Sequence, residues 1–470
     1  MRRSLGGALL GMALVIPACQ VQASNSDDGA TREQVAALQA RIATLEAELS
    51  AIKATLGELA PDVKSAPADA PASSDDPFAA FAAGSAASST SSEATSPSPA
   101  PAIAAEGSSR VASTGNSAFN PAITLILNGS YSHHSLDPES YARAGFPLVG
   151  EGGPSEQGFS LGESELSMSA NIDDKFYGQI SLAVESEDGE DGIGVEEAYI
   201  DTTSLPNGLA LRAGRFYSNI GYLNSHHPHT DAFFDRPLPY QAFVGNQYGD
   251  DGVQLRWVAP TAFLLELGGE LLRGQNFPAG GAARGGVGSR TLFAHAGGDA
   301  GVESSWLLGL SMLDSKAEGA EDGFSGDSRL WIADATWKWA PHGAFKDGGV
   351  TLRGEYFREN RDGVLEDPED PLLTSIWDGR REGAYVEGVY RFNKSWDAGY
   401  RYDRLWTSVP GLLDGGYDPD RHTLQLTWRN SEFSLFRLQF NRDNPEAGIS
   451  DNTATVQYQA ALGAHGAHKF

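Results

Sequence analysis

Three of the ten histidines of the chain lie within four residues, in the stretch SHHPHTD at positions 225–231. Neutral imidazole is a good ligand for zinc, copper and nickel, and a carboxylate can add an oxygen ligand. His226, His227, His229 and Asp231 are therefore candidate ligands of a transient Zn2+ ion, with no cofactor required. Pro228 favours an extended conformation for the residue before it, so the imidazoles need not converge on one ion. The alternative is that these histidines hydrogen-bond a polar loop to neighbouring carboxylates.

A second candidate for chemistry is the carboxylate pair Glu196–Glu197 in GVEEAYIDT, because paired carboxylates can act as general acid and base. Adjacent residues of a strand point to opposite faces, so the pair can act on one ligand only where a bulge intervenes. The sequence has no G-x-S-x-G or comparable nucleophile motif. We therefore favour a lining role for this pair and expect no enzymatic activity.

The composition of the 470-residue chain limits what can position these side chains. A formal net charge of −28 and a pI of about 4.6 argue against a nucleic-acid partner, which needs basic patches. Residues 1–23 combine a short basic start, an apolar stretch and a small-residue cleavage site, which predicts a secretory signal peptide. Cleavage after Ala23 removes Cys19, the single cysteine, and excludes disulfides and thiolate zinc sites from the mature chain.

The next two segments differ sharply in composition. Residues 24–60 carry apolar side chains at alternating spacings of three and four from Val35 to Leu59. Such a narrow seam predicts a coiled coil with partner chains, whereas a helix packed on its own domain is the alternative. The mixture of Val, Ile and Leu leaves dimer and trimer open. Residues 61–118 are rich in Ala, Ser and Pro and predict a disordered tether.

Residues 119–470 alternate apolar with polar or small side chains in segments of about ten, as in RHTLQLTWRN, which is the pattern of β-strands. Aromatic residues lie near the strand ends, where transmembrane barrels carry girdles. Short links such as IDDK and FNKS alternate with long links at 135–157, 186–192, 217–250, 274–287, 316–327, 359–382, 408–420 and 442–452. Because such barrels alternate short turns with long loops, we expect an all-β transmembrane barrel of about sixteen antiparallel strands. A periplasmic α-helical coiled coil precedes it.

The order of these segments resembles that of a trimeric Gram-negative porin. The chain also resembles a poorly characterised family whose members are labelled zinc-regulated outer-membrane porins or, loosely, TonB-dependent receptors. The resemblance lies in the stretches FNPAITLIL, GFSLGESELSMSANIDDKFYG, EEAYIDT, AGRFYSNIGYLNSHHPH and GAHGAHKF. The chain ends in Phe470 as such barrels do, although Gly466 and His468 stand where large apolar residues are usual. The resemblance implies an outer-membrane location with a periplasmic N-terminal segment, contacts with lipid and lipopolysaccharide, and a homotrimer through barrel and coiled coil.

The barrel pattern and the resemblance favour a passive diffusion channel for small polar or ionic solutes, with a link to uptake of zinc or other divalent cations. An energised TonB-dependent receptor is an alternative, but it needs a plug domain and about 22 strands. An anion- or phosphate-selective porin is a further alternative, and an outer-membrane enzyme is the least favoured one.

Strand parity predicts which charged side chains line the lumen. The basic ones are Arg212, Arg256, Lys338, Arg353, Arg401, Arg429 and Arg437. The acidic ones are Glu266, Glu270, Glu355, Glu387, Asp397 and Asp403. Mixed signs favour small dipolar or polar solutes, because rings of one sign would set an ion preference. Acidic loops at 185–191 and 365–371 are expected to attract cations, or else to keep the surface solvated or to bind divalent ions between lipopolysaccharide phosphates. The resemblance places the loop 217–250 at the constriction of the pore.

Overall fold

The computed structural model describes residues 121–187, 190–280, 286–366, 374–407 and 416–463. The chain divides into two compact units, Met1–Ser98 and Pro99–Phe470, and all described residues belong to the second. The predicted signal peptide (1–23), coiled coil (24–60) and tether (61–118) lie outside the described residues. Within the described ranges, no helix is long and apolar enough to span a membrane.

The described strands form one closed antiparallel ring. The first strand pairs with the last and with both segments of the second, which completes the circle. Counted this way, the ring has sixteen strands, which confirms the predicted antiparallel barrel. The strands are β1 (Ala122–His133), β2 (Gly158–Ser160 and Ser164–Asn171), β3 (Phe176–Glu187), β4 (Glu190–Thr202), β5 (Leu209–Tyr217), β6 (Gly249–Val258), β7 (Leu264–Leu272), β8 (Ser289–Asp299), β9 (Ser304–Glu318), β10 (Phe324–Trp339), β11 (Gly349–Glu366), β12 (Thr374–Arg391), β13 (Trp396–Thr407), β14 (Asp420–Ser431), β15 (Ser434–Glu446) and β16 (Ile449–Gly463).

The outward face of the ring is apolar. Leu255, Leu352 and Leu424 are between 46% and 56% exposed on this face, while their neighbours in sequence point inward. Near the short-turn end, the rings of Trp396 and Trp428 stack with centroids 6.1 Å apart, and further aromatic rings continue the row across β15 and β16. An apolar band flanked by aromatic rings is the outer surface of a barrel that faces lipid.

Several strands are longer than the sequence predicted, because they continue through segments expected to be long links. The predicted links 186–192, 316–327, 359–382 and 442–452 are mostly strand in the structure, and their assignment as long loops was wrong. β11 and β12 have 18 residues each, which corresponds to about 60 Å at about 3.3 Å per residue. Beyond the apolar band the outward face turns polar, as in the exposed Arg329–Asp314 pair on β10 and β9, so the apolar/polar alternation ends before the strand does.

Candidate functional site

The link between β5 and β6, residues 218–248, folds into the ring. It contains the helix α1 (Leu238–Val244), all seven residues of which are buried. The Tyr240 hydroxyl donates to the Glu355 carboxylate of β11 at 3.0 Å, and the Phe243 ring stacks on Phe357 with centroids 5.8 Å apart. Prolines at the first turn begin the helix, and Gly245, with a φ of 61°, ends it in the left-handed conformation. The loop therefore packs its apolar side chains against the inner wall.

A single carboxylate, that of Asp235, attaches the middle of this inward loop to the inner faces of strands β13–β15. The side chain of Asp235 accepts hydrogen bonds from Arg401 at 3.0 Å and Arg421 at 2.8 Å, and also from Gln439 at 2.6 Å and Asn441 at 3.0 Å. Burial raises the pKa of Asp235, but Arg401 and Arg421 outweigh it and hold the pKa below its usual range. We call Asp235 and its four donors the loop latch.

The charged side chains predicted to line the lumen lie on the inward face of their strands. Their side chains form ion pairs of opposite sign, with nitrogen–oxygen distances of 2.8 Å for Arg212–Asp201, 2.8 Å for Arg353–Glu387, 3.0 Å for Arg401–Asp403 and 3.6 Å for Arg256–Glu266, and with a close contact in Arg429–Asp397. Arg437 contacts Gln457 and the carbonyl of Asp231, and Lys338 is half-buried. The inner wall is thus strongly charged and locally balanced.

The inward loop and the wall side chains leave little space at the level of the loop. Asp403 and Thr423 are 0% exposed, and Arg401 and Glu359 are 1% exposed, although all four are on the inward face. A small cleft remains beside the latch, lined by polar groups that include His134, Asp443 and Asp451. Toward the short turns the wall is more open, since the Arg429 side chain is 28% exposed. The wall is therefore most fully covered at the level of the inward loop, where its lining is polar, and we call this level the constriction.

Two of the four predicted metal ligands lie together against the wall. A short turn at Pro228–Thr230, with an extended residue before the proline, places the rings of His227 and His229 side by side, with centroids 5.6 Å apart. Nδ1 of each lies 3.1 Å from the same atom, Oε2 of Glu165 on β2. Glu163, Glu165, Glu196 and His227 also bring one ligand atom each within 4.8 Å of one another.

A β-bulge brings the carboxylate pair of β4 to the same place. The register shifts between Ser181 and Leu182 of β3, so that Ser181 faces Glu197 and Leu182 faces Val195. Glu196 is the extra residue, and its carboxylate accepts a hydrogen bond from the Tyr217 hydroxyl at 3.0 Å. The carboxylates of Glu196 and Glu197 approach the His227 ring at 3.6 Å and 3.1 Å. The bulge that the sequence argument required is present, and both carboxylates contact one imidazole.

The other two predicted ligands do not join this cluster. His226 stacks on the Tyr222 ring with centroids 4.6 Å apart, and its Nδ1 lies 2.7 Å from the Tyr222 carbonyl oxygen. Oδ2 of Asp231 lies 2.7 Å from Nε of Arg236 within the loop. The turn at Pro228 thus groups His227 with His229, while His226 before it is held by Tyr222. In place of His226 and Asp231 the cluster contains Glu163 and Glu165. The sequence could have indicated only Glu165, because the alternation of its strand places that side chain on the inward face.

No family model matches the chain. A curated protein of Aquifex aeolicus (strain VF5), described as an uncharacterized protein, is 29% identical over 402 residues, which cover 77% of this chain and 83% of that protein. Among solved structures, the outer membrane channel DcaP of Acinetobacter baumannii has a TM-score of 0.48 and 11% identity over 73% of this chain and 97% of its own. An anion-selective porin from Comamonas acidovorans has the same TM-score and identity over 73% of this chain and 99% of its own.

Proposed function

We propose that the chain is a passive outer-membrane diffusion channel for small polar or ionic solutes. The observation that carries the proposal is a closed ring that is apolar outside and charged inside, with one loop folded into its lumen. Barrels with this polarity have a lipid-facing exterior and a polar interior. An outer-membrane location in a Gram-negative bacterium, a periplasmic N-terminal segment and a homotrimer in contact with lipid and lipopolysaccharide belong to the same proposal.

The constriction determines which solutes are expected to pass. Its walls are nearly filled at the loop, so solutes must be small, and its lining is polar, so they must be polar or ionic. Inward arginines such as Arg212 and Arg353 are each paired with a carboxylate, so the wall presents local dipoles rather than a ring of one sign. This pairing favours weak ion selectivity over the phosphate-selective alternative.

The two remaining alternatives are less well supported. Energised receptors have about 22 strands, whereas the described ring has sixteen. An enzyme would need a nucleophile or an acid–base pair open to a substrate. The pair Glu196–Glu197 is instead occupied by His227, Tyr217 and Gln179.

The test is planar-bilayer recording of the purified full-length protein under a salt gradient. We expect small stepwise conductance with a weak cation preference, because the chain has a net charge of −28. The preference is expected to disappear at molar salt, where the Debye length is about 3 Å. Protein unfolded by boiling serves as the control.

Two results would contradict the proposal. Folded protein that inserts without stepwise conductance would exclude a channel. A strong anion preference that persists in molar salt would instead support the phosphate-selective alternative.

A further inference from the structure

We propose that Glu165, His227 and His229 bind a divalent transition-metal cation where the inward loop meets the wall, with Glu196 as a fourth ligand. The site is a property of the loop–wall junction and does not depend on whether the barrel conducts. Its ligands come from three elements, namely β2, β4 and the turn at Pro228–Thr230. A bound cation would therefore tie the loop to two strands of the wall.

The positions of the ligand atoms fit a metal ion. Nδ1 of His227 and Nδ1 of His229 each lie 3.1 Å from Oε2 of Glu165, and Oε2 of Glu196 lies 3.6 Å from Nδ1 of His227. Zinc bonds to nitrogen and oxygen of about 2.0–2.2 Å place neighbouring ligands of a tetrahedron about 3.3–3.6 Å apart. The Glu196–His227 separation matches such an edge, and the two Glu165 separations are slightly shorter. Ligand atoms of Glu165 and His227 lie within 4.8 Å of His229 in one group and of Glu196 in another, so Glu196 or His229 must shift to bring all four ligands around one ion.

The same atoms lack hydrogen-bond partners. Oε2 of Glu165, Oε2 of Glu196 and Nδ1 of both imidazoles are buried and have no hydrogen-bond partner outside the cluster. The Glu165 side chain is 3% exposed, so solvent does not satisfy it. Buried polar atoms almost always have a partner. A shared cation would give all four atoms a partner.

The remaining nitrogen of His227 supports this assignment. Nε2 of His227 lies 3.1 Å from Oε2 of Glu197, and a carboxylate there can only accept a hydrogen bond. With its proton on Nε2, the neutral ring directs the Nδ1 lone pair toward Glu165. Metal-binding histidines usually donate their second nitrogen to a carboxylate in this way. Gln179 donates to the same Glu197 oxygen at 3.2 Å and helps to hold it.

A bound cation would also balance the charges around the cluster. Among the described residues, Glu165, Glu196 and Glu197 form ion pairs only with His227 and His229. Several buried carboxylates elsewhere on the wall, such as Glu359 and Asp403, have arginine partners instead. Nitrogen ligands favour zinc, nickel, copper or cobalt over calcium and magnesium, which prefer an all-oxygen shell.

The competing occupant is a proton. The imidazole of His227 can bind a metal ion through Nδ1 only when that nitrogen carries no proton, and the carboxylates of Glu165 and Glu197 contact the same ring. Glu163, Glu196, His229 and Tyr217 are the other titratable groups of the cluster. Metal binding displaces protons from the imidazoles, so the metal affinity should fall as the pH decreases through the usual imidazole pKa of about 6.5.

The experiment uses the full-length protein in detergent after removal of metals by a chelator. Zn2+ is titrated calorimetrically at pH 8 and pH 6, and Co2+ is titrated with visible absorption as the readout. We expect saturation at one ion per chain, weaker binding at pH 6, and the intense absorption of four-coordinate cobalt. The variants Glu165→Gln and His229→Ala should each lower the affinity at least tenfold.

His226→Ala is the matched control, because it removes a neighbouring imidazole that stacks on Tyr222 outside the cluster. Glu197→Gln keeps every direct ligand and is expected to weaken binding by about 10–100-fold through His227. Wild-type protein that binds no Zn2+ saturably at pH 8 would overturn the proposal. So would equal losses in His226→Ala and His229→Ala. Conductance is measured separately, so a silent channel with a tight zinc site would contradict only the proposed function.

Discussion

The loop latch offers the sharpest test of how the passage is narrowed. The substitution Asp235→Asn keeps the size of the side chain but removes its charge and places an amide against one of four donors. Those donors are Arg401, Arg421, Gln439 and Asn441, and the Asp235 side chain is only 18% exposed. The inward loop should therefore lose much of its attachment to β13–β15.

The size of the effect follows from what the two arginines retain. Removing one partner of a buried ion pair costs about 3–5 kcal/mol when the other charge is left unpaired. Arg401 keeps Asp403 at 3.0 Å, and Arg421 keeps Asp443 at 2.6 Å. We therefore expect the lower end of that range, about 3 kcal/mol, which corresponds to a roughly 100-fold larger fraction of undocked loop.

Single-channel recording measures the consequence. Asp235→Asn should show a larger open conductance or new transient levels, because an undocked loop no longer fills the lumen. Asp314→Asn is the matched control, since its partner Arg329 is 56% exposed on the outer surface and such pairs contribute less than about 1 kcal/mol. The arginines lower the pKa of Asp235 in the folded protein. The stabilisation that Asp235 gives to the docked loop is therefore fully present above the pKa of an unfolded Asp, and it is lost only as the pH falls through the lower pKa of the folded state. Acidification to about pH 5 should therefore not reproduce the substitution.

A folded Asp235→Asn protein with wild-type conductance and no new levels would refute this reasoning. It would show either that the loop stays docked through its apolar contacts or that the loop does not limit the passage. The double substitution Asp235→Asn with Phe243→Ala separates these cases, because it also removes the ring that stacks on Phe357. Unchanged conductance in the folded double variant would exclude the loop as the constriction.

The other predictions concern the loop entrance and the N-terminal segment. Gly221→Ala should undock the first part of the loop, because the φ of Gly221 is 62° and a Cβ would lie 2.6 Å from the Tyr240 hydroxyl and from Oε2 of Glu355. Conductance and thermal unfolding measure this effect. Gly301→Ala controls for the backbone strain, because Gly301 has a φ of 77° but open space around it. A peptide of residues 31–60 should become helical only as it associates, since a single narrow seam does not stabilise an isolated helix; sedimentation and circular dichroism test this, and a helical monomer at high concentration would exclude the coiled coil.

The inward charged residues could be predicted because strand geometry has a fixed period. Side chains alternate between faces, so an apolar neighbour such as Leu211 or Leu352 is enough to place Arg212 or Arg353 inside. Strand ends are different. Above the apolar band the outward face of β10 and β11 turns polar, while inward residues such as Phe324 and Leu365 are apolar and buried. The apolar-outward alternation that predicts such a strand in the sequence is lost there, while the hydrogen-bonded ladder continues. The pattern therefore predicted the lipid-facing part of each strand and missed its extension into solvent.

The carboxylate–histidine cluster could be predicted only in part, because it depends on a departure from that period. In a regular ladder, one carboxylate of the pair Glu196–Glu197 would point outward into the apolar face, where an unpaired charge is costly. The bulge opposite Ser181 and Leu182 turns both inward, at the loss of local ladder regularity. Glu163 lies in a second departure, the break between the two segments of β2. Irregularities in β2 and β4, on either side of β3, thus bring Glu163 and Glu196 to the side of the wall where Glu165 and Glu197 contact His227, and a bound cation would explain why both are placed there.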